Sequence, residues 1–390
     1  MSSVWEMFRV FLRLGCTSFG GPIAHIGYFR AEFVERRRWI DDAAYADLVA
    51  LCQFLPGPAS SQVGFAIGLR RAGYLGALAA WVGFTVPSAA LLIGFALGAP
   101  SLQGRFAEGA LHGLKLAAVA VVAQAVLGMA RTLTPDFLRA TIAVLALAAM
   151  AFVPGGAAQD AAIALGGIAG LMFCHPASAP VLAGQPSPVS RRAGSLFLAV
   201  FAVGLALSFL PFGGGLALFD AFYRSGALVF GGGHVVLPLL RATVVDPGYV
   251  SDAAFLQGYG AAQAVPGPLF SVGGYLGAVA NIGPGGVAGG LVALVALFLP
   301  GMLALMGALP FWHELSASGR ARAAMAGLNA AVVGLLAAAL YDPVFISAVH
   351  SEKDFVVAAA GFVGLVVGRA SPLFVVLFCA VAGLALAALN

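Results

Sequence analysis

Two short motifs, each present twice, combine residue types that can bind an anion. The first reads CQFLPGP over residues 52–58 and AQAVPGP over residues 262–268, so a glutamine stands three positions before the same Pro-Gly-Pro. Proline suits the first turn of a helix, because a missing N–H costs nothing there. The helix after the motif then begins with free N–H groups and the positive end of its dipole. Such helix starts attract anions.

The second motif places glycines before a helix start. FGGPIAHI covers residues 19–26, and the matching GGGHVVL covers residues 231–237. Four converging helix starts would form an anion site, to which glutamine and serine side chains add hydrogen bonds. The predicted substrate-binding residues are Ser18, Gly20, Gly21, Pro22, His25, Gln53, Pro56, Gly57, Pro58, Ser60, Ser61, Gly231, Gly232, Gly233, His234, Gln263, Pro266, Gly267, Pro268 and Ser271.

These residues also have structural interpretations. Glycine and proline in apolar helices often mark close packing or a kink rather than a binding site. The two histidines are not equivalent, since His25 matches Val236 rather than His234. Each histidine is either a structural hydrogen-bonding residue or a contact for a proton or an anion.

Four arginines are candidates for a charge pathway: Arg13, Arg30, Arg224 and Arg241. Arg13 and Arg224 match each other and lie within apolar runs, where an ionisable residue is costly and points to function. The alternative is that their side chains reach out to the membrane interface.

The composition around these motifs is that of a membrane protein. Hydrophobic residues make up 61% of the 390 residues and charged residues 9%, and the mean hydropathy is +0.98. No soluble domain buries so large an apolar fraction, so we predict an all-α polytopic membrane protein. The net charge of +4 is small and dispersed, which argues against nucleic acid as a partner. Soluble-enzyme motifs are absent and the six histidines lie far apart, so no enzymatic activity, metal or other cofactor is expected.

The two copies of each motif belong to a duplication of the whole chain. An offset of 211 residues pairs Phe11, Arg13, Gly15, Phe19 and Arg30 with Phe222, Arg224, Gly226, Phe230 and Arg241. An offset of 210 pairs Asp42, Gln53, Pro56, Ser61 and Gly73 with Asp252, Gln263, Pro266, Ser271 and Gly283. The predicted segments are an N-terminal half (1–174), a Pro/Ser-rich cytoplasmic linker (175–193), a connecting transmembrane helix (194–213) and a C-terminal half (214–390).

Hydropathy predicts four spanning helices in each half and one unpaired helix between the halves. The predicted spans are 74–98, 109–130, 136–153 and 157–174, then 195–211, then 284–309, 323–340, 355–369 and 371–389. The segments around FGG and PGP either cross the membrane or form broken, re-entrant hairpins. The hairpin interpretation puts most of the 20 basic residues on one face, which is then cytoplasmic.

This topology predicts an inverted repeat. Four spans and the unpaired helix make an odd number of crossings between equivalent positions, so the halves have opposite orientations. We expect a cytoplasmic N-terminus and a periplasmic C-terminus, with residues 36–38 cytoplasmic and residues 246–252 periplasmic.

The motifs resemble those of the chromate ion transporter (CHR) family in its long, two-domain form. The resemblance is carried by SFGGPIAHI (18–26), FVERRRWI (33–40), ALCQFLPGP (50–58), FGGGHVVLPLL (230–240) and GYGAAQAVPGPLF (258–270). It implies export of chromate, an oxyanion isosteric with sulfate, across the bacterial inner membrane. An anion as substrate is expected independently from the helix starts and arginines.

The leading hypothesis is therefore a secondary active transporter that exports chromate by alternating access. An anion channel, or a transporter of sulfate or another small anion, remains an alternative on the same scaffold. A membrane scaffold or enzyme is the alternative from another class. The expected partners are the oxyanion, the lipid bilayer, protons or a counter-ion, and a second copy of the chain in a homodimer.

Overall fold

The described part of the chain is almost entirely helical. A computed structural model describes residues 4–19, 21–98, 104–153, 157–175, 187–210, 213–230 and 236–389. These residues form seventeen α-helices, with short π and 3₁₀ turns and no strand. The predicted all-α fold is confirmed.

The first half contains seven α-helices. They are α1 (Val4–Thr17), α2 (Gly21–Arg30), α3 (Asp42–Phe54), α4 (Ala59–Gly98), α5 (Arg105–Leu133), α6 (Phe137–Phe152) and α7 (Ala157–Phe173). A π turn, Ala31–Arg36, continues α2. Non-helical backbone at Ala72 and Gly73 divides α4 into two helices, and the second part is the predicted span 74–98.

The second half repeats this order after one additional helix. The helices are α8 (Arg191–Leu207), α9 (Gly214–Ala227), α10 (Val236–Leu240), α11 (Asp252–Ala264), α12 (Val272–Val279), α13 (Gly286–Ala308), α14 (Trp312–Ala317), α15 (Gly319–Ala339), α16 (Glu352–Val366) and α17 (Pro372–Leu389). The connecting helix α8 begins inside the predicted linker, because the Ser190 side chain caps it by accepting a hydrogen bond from the Ala193 N–H. The four segment boundaries stay a prediction.

Several described helices are long and apolar enough to span a membrane. Four stretches qualify by length and composition: Ala59–Gly98, Arg105–Leu133, Gly286–Ala317 and Gly319–Phe345. Shorter apolar helices include Phe137–Phe152, Ala158–Phe173 and Pro372–Ala388. Each predicted span corresponds to one helix of the structure.

The FGG and PGP segments of the first half are broken hairpins that return to their own side. Arg37, just after α2, forms an ion pair with Glu6 at the start of α1 (N–O distance 3.1 Å), so both ends of the α1–α2 pair lie together. Arg71, at the end of the first part of α4, lies over the Trp39 ring before α3, 5.1 Å from its centroid. Both hairpins therefore have their bases at one face, which we call the first-half face.

The hairpins of the second half have their bases at the opposite end of the molecule. Asn281, after α12, donates hydrogen bonds to the carbonyls of Gly248 and Tyr249 before α11, which defines the second-half face. Helix α13 begins beside this face and is about 35 Å long at 1.5 Å per residue. Just beyond its end, Trp312 donates a hydrogen bond to Asp47 of α3 (2.8 Å), near the first-half face. The halves are therefore inverted, as predicted.

The halves also exchange their last helices. Helix α5 packs against α16 and α17, whereas α15 packs against α6 and α7. Small residues allow these close contacts: a Cβ at Gly113 would lie 2.2 Å from the Cys379 carbonyl oxygen, and one at Gly327 would lie 2.1 Å from the Gly166 oxygen. The exchange ties the two halves into one bundle.

Candidate anion site

Each PGP break lies against the FGG break of the opposite half. The Gly57 N–H donates a hydrogen bond to the Val229 carbonyl (2.8 Å), and the Gly267 N–H donates one to the Ser18 carbonyl (2.9 Å). Ser18 and Val229 are equivalent in the duplication, so the two contacts are reciprocal. We call the region around these four residues the crossing. These two contacts bring breaks of opposite halves together, whereas the convergence of all four helix starts stays a prediction, because residues 231–235 before α10 lie outside the described residues.

Glycine is required at both PGP positions of the crossing. Gly57 has a φ of +115° and Gly267 a φ of +99°, a region that other residues rarely adopt. Space is also limiting, because a Cβ at Gly57 would lie 2.7 Å from the Cα of Gly301 on α13. A Cβ at Gly267 would instead lie 2.8 Å from the Ser88 Oγ on α4.

The second proline of each motif immediately precedes its helix, whereas the sequence predicts it in the first helical turn. Pro58 precedes α4 and accepts a hydrogen bond from the Gln62 N–H (2.9 Å), and Pro268 precedes the 3₁₀ turn Leu269–Ser271 with extended backbone. Both are N-cap residues rather than first-turn residues. The first free N–H groups consequently belong to residues 59–61 in the first half.

His25 joins the two breaks of the first half. Its Nε2 lies 3.2 Å from the Ser18 carbonyl oxygen, and its Nδ1 lies 3.4 Å from the Ser60 Oγ. The carbonyl can only accept, so Nε2 carries the proton and Nδ1 accepts from Ser60. The imidazole is completely buried, and its ring contacts Phe84 edge-on.

Several buried polar atoms near the crossing have no hydrogen-bond partner in the protein. They are the Ser18 Oγ, Ser61 Oγ, Gln62 Oε1, Thr85 Oγ1 and Gln263 Nε2. Buried polar groups are nearly always hydrogen-bonded, so unpaired ones point to a ligand or water. Donor hydroxyls beside helix starts suit an oxyanion.

The structure separates the predicted glutamines. Gln53 is exposed on α3, and Gln263 is half-buried beside Tyr259 on α11. Gln62, which the motif did not include, is completely buried and donates to the Pro56 and Gly301 carbonyls, both at 2.8 Å. These two hydrogen bonds link the first-half break to α13 of the other half.

Ser88 makes the corresponding link in the second half. Its Oγ lies 2.6 Å from the Ser271 Oγ. Ser88 and Gly301 each follow a proline in equivalent helices, in TVPSA and FLPGM, and that match was the available sequence signal for both positions. Thr85 lies one turn before Ser88, and its backbone carbonyl accepts a hydrogen bond from the Ser88 hydroxyl (3.0 Å).

The remaining predicted residues are only partly described. Gly21 and Pro22 lie in the first turn of α2, and Pro56 and Pro266 lie in the two breaks. Gly20, Gly231, Gly232, Gly233 and His234 lie outside the described residues.

The four candidate arginines lie at the hairpin bases or along the hairpins. Arg30 pairs with Glu35 and Asp42, and Arg241 pairs with the equivalent Asp246 and Asp252. Partial burial raises the pKa of the Asp246 carboxyl, and Arg241 opposes that shift.

The other two arginines differ from each other. Arg13 is exposed on α1. Arg224 lies over the Phe209 ring, 5.3 Å from its centroid, and lines a cavity of about 230 Å³ with Asp160.

No group of three or more metal-ligating side chains occurs in the described part of the chain.

The chain matches a known family twice, once in each half. The family described as chromate transporter matches residues 5–171 and again residues 216–384. The chain belongs to the chromate transporter family. The predicted resemblance is confirmed, and membership of a transporter family agrees with the prediction that the chain is not an enzyme.

Relatives in this family are similar over most of their length. The chain is 32% identical to the chromate transport protein of Pseudomonas aeruginosa over 351 residues, or 86% of this chain and 80% of that protein. It is 29% identical to the probable chromate transport protein of Synechococcus elongatus over 343 residues, or 87% and 84%. The chromate transport protein of Cupriavidus metallidurans is 24% identical over 340 residues, or 86% and 81%. No solved structure matches the chain.

Proposed function

We propose that this protein is a secondary active transporter that exports chromate, a sulfate-like divalent oxyanion, across the bacterial inner membrane by alternating access. The observation that carries the proposal is the reciprocal contact of the two broken hairpins, Gly57 with Val229 and Gly267 with Ser18. Broken helices that meet between inverted repeats are a common arrangement for substrate sites in secondary transporters.

The side chains at the crossing favour an anion over a cation. Hydroxyl groups of Ser18, Ser61 and Thr85 can donate hydrogen bonds, and the start of α4 adds N–H groups and a positive dipole end. An oxyanion of tetrahedral shape can accept several such bonds at once. We assign the contacts chiefly to the hydroxyl groups of Ser18, Ser61 and Thr85 and to the N–H groups at the start of α4, with the Gln263 amide from the second half.

The inverted architecture supports the proposal of alternating access. The crossing is buried, and each hairpin pair reaches it from its own face, so each face is closed by a different set of contacts. The first-half face opens when the first-half hairpins move away from the helices packed against them, while the contacts of the second-half hairpins stay closed. The reverse motion opens the second-half face. No ATP-binding motif occurs in the sequence. We therefore propose a proton gradient or counter-ion exchange as the driving force.

Transport in proteoliposomes tests the proposal. Protein in liposomes loaded with unlabelled chromate should accumulate labelled chromate transiently from outside, because an exchanging carrier shows counterflow. Liposomes loaded with sulfate show whether sulfate shares the pathway. Flux that does not saturate and shows no counterflow would assign the chain to the alternative, an anion channel.

The proposed orientation can be tested separately. We place the N-terminus and the first-half face in the cytoplasm and the C-terminus in the periplasm. Cys16 is the exposed native cysteine in the described residues and is replaced by Ser first. An impermeant thiol reagent added outside cells should then label Pro247→Cys and not Arg36→Cys. Equal labelling of both positions contradicts the orientation.

A further inference from the structure

The bases of the two hairpin pairs enclose equivalent cavities. At the first-half face, a cavity of about 640 Å³ is lined by Arg38, Trp39, Asp41, Arg70 and Arg71 among others. At the second-half face, a cavity of about 530 Å³ is lined by Gly248, Tyr249, Ser251, Asp252 and Asn281 among others. We call them the first-half cavity and the second-half cavity.

The same backbone builds both cavities. An offset of 210 residues pairs Asp41 with Ser251, and these two side chains cap equivalent helices, accepting from the N–H groups of Ala44 and Ala254. The cavity is therefore a property of the fold, and its charge is not. Three arginines line the first-half cavity, whereas the described lining of the second contains no basic residue.

Arg38 shows that one of these charges is retained at a cost in backbone energy. Its φ is +53°, and the equivalent Gly248 has a φ of +80°. The fold needs a left-handed residue at this position, for which glycine is the favoured choice. The second half uses glycine, and the first half uses arginine despite the strain. Strained residues of this kind often mark functional positions.

Membrane topology alone does not account for this cluster. The positive-inside rule places arginines at a face but does not require them to line one cavity. Trp39 also orders the cluster, since the guanidinium groups of Arg37 and Arg71 lie over its ring at 4.9 and 5.1 Å from the centroid. Asp41 is the acidic residue of the lining, so the described lining has an excess of positive charge.

We propose that the first-half cavity binds a tetrahedral oxyanion group, and that the free oxyanion gathers there before it reaches the crossing. The guanidinium group offers paired N–H donors that match two oxygens of such an ion. The role in loading rests on the proposed function, whereas the binding site does not. A phospholipid phosphate presents the same chemistry, so the experiment must separate the two sources.

Arg38→Gly is the central test, because it removes the charge and relieves the backbone strain. In nanodiscs of phosphatidylcholine at low ionic strength, it should weaken the binding of labelled sulfate about tenfold, the loss of one hydrogen bond to a charged group. Its melting temperature should equal or exceed that of the parent. Arg38→Lys keeps the charge but loses the paired N–H donors, so its affinity should lie between those of the parent and Arg38→Gly. The matched control is Arg36→Gln, which removes one charge at the same face from a residue paired with Glu32, and it should bind like the parent.

Sidedness gives a second measurement. In proteoliposomes, Arg38→Gly should raise the KM for anion presented to the first-half face and leave the KM at the other face unchanged. Equal changes at both faces, or sulfate binding that is independent of Arg38, overturn the proposal. Arg38-dependent sulfate binding without any transport would instead remove the proposed function and leave the site.

The lipid arm repeats the binding assay in nanodiscs that contain phosphatidylglycerol. The proposal expects sulfate to bind there with the same dependence on Arg38. If phosphatidylglycerol abolishes sulfate binding and co-purifies with the parent but not with Arg38→Gly, the occupant is a lipid phosphate and the loading role is wrong.

Discussion

The two halves build the crossing from equivalent backbone but from different side chains. After the first break the helix begins ASSQ (59–62), whereas after the second it begins LFSV (269–272). His25 joins the breaks of the first half, and Val236 stands at the equivalent position of the second.

The hydroxyl groups differ in the same way. Ser271 is paired with Ser88. The equivalent Ser61 has no such partner: Gly301 stands at the position that matches Ser88, and the Ser61 hydroxyl has no hydrogen-bond partner in the protein. Both halves thus contain the helix starts, whereas the unpaired hydroxyl groups of the described residues lie in the first half. We expect the first half to contribute more of the anion affinity.

The largest effect should come from Gly57→Ala, with Gly267→Ala as its matched partner. Both positions have positive φ, which costs alanine about 1–2 kcal/mol. At Gly57 the new Cβ would lie 2.7 Å from the Cα of Gly301, which cannot rotate away. At Gly267 the nearest atom is the Ser88 Oγ at 2.8 Å, which can rotate, and the nearest backbone atom is the Phe84 carbonyl oxygen at 3.2 Å. Transport should be lost in Gly57→Ala and only reduced in Gly267→Ala, measured as chromate flux per folded protein. Equal effects would show that the two breaks are interchangeable.

The next effect concerns the glutamines. Gln62→Ala removes two buried hydrogen bonds and should lower the free energy of unfolding by about 2–3 kcal/mol. Gln53→Ala, at an exposed position of α3, should change stability by less than about 0.5 kcal/mol. Chemical denaturation and chromate flux are measured for both variants. A larger loss of transport in Gln53→Ala would return the site to the predicted glutamine.

The glutamines also show what sequence could predict. The duplication can be detected from residue types and spacing: Arg30 and Asp42 recur as Arg241 and Asp252. Each of these two pairs forms an ion pair in the structure. Parity of the spans then predicted the inversion. The sequence predicts Gln53 as a site residue because it recurs as Gln263, but recurrence gives no side-chain direction. Gln62 does not recur, because the equivalent residue of the second half is Val272, so repetition could not reveal it.

Contacts between the halves were beyond sequence reasoning for a physical reason. Which break lies against which depends on packing between segments about two hundred residues apart. The FLPGM segment that holds Gly301 matches TVPSA at an offset of 213 residues, unlike the 211 and 210 of the hairpins. The loops before these helices therefore differ in length, and the offsets of the hairpins do not pair Ser88 with Gly301.

A smaller effect is expected for His25→Val, which copies the second half. The substitution removes the link between the Ser18 carbonyl and the Ser60 hydroxyl, which should reduce transport about tenfold at every pH. Both ring nitrogens already have partners, so the shape of the pH profile should not change. His25→Gln, which can keep one of the two bonds, is the control. Loss of the pH dependence in His25→Val would show that the imidazole takes up a proton during transport.

The smallest effects should have opposite signs and come from two serines. Ser61→Ala removes the unpaired hydroxyl of the first half and should weaken chromate binding two- to tenfold, the range for about 0.5–1.5 kcal/mol of one hydrogen bond. Ser88→Ala frees the Ser271 hydroxyl, so it should tighten binding by up to a similar factor while lowering the free energy of unfolding by about 1 kcal/mol. Because Ser61 and Ser271 are equivalent in the duplication, a free hydroxyl should act alike in either half. Affinities from chromate binding to the purified variants decide the matter. If Ser88→Ala weakens binding as Ser61→Ala does, the Ser88–Ser271 pair itself shapes the site and the difference between the halves is not one of free donors.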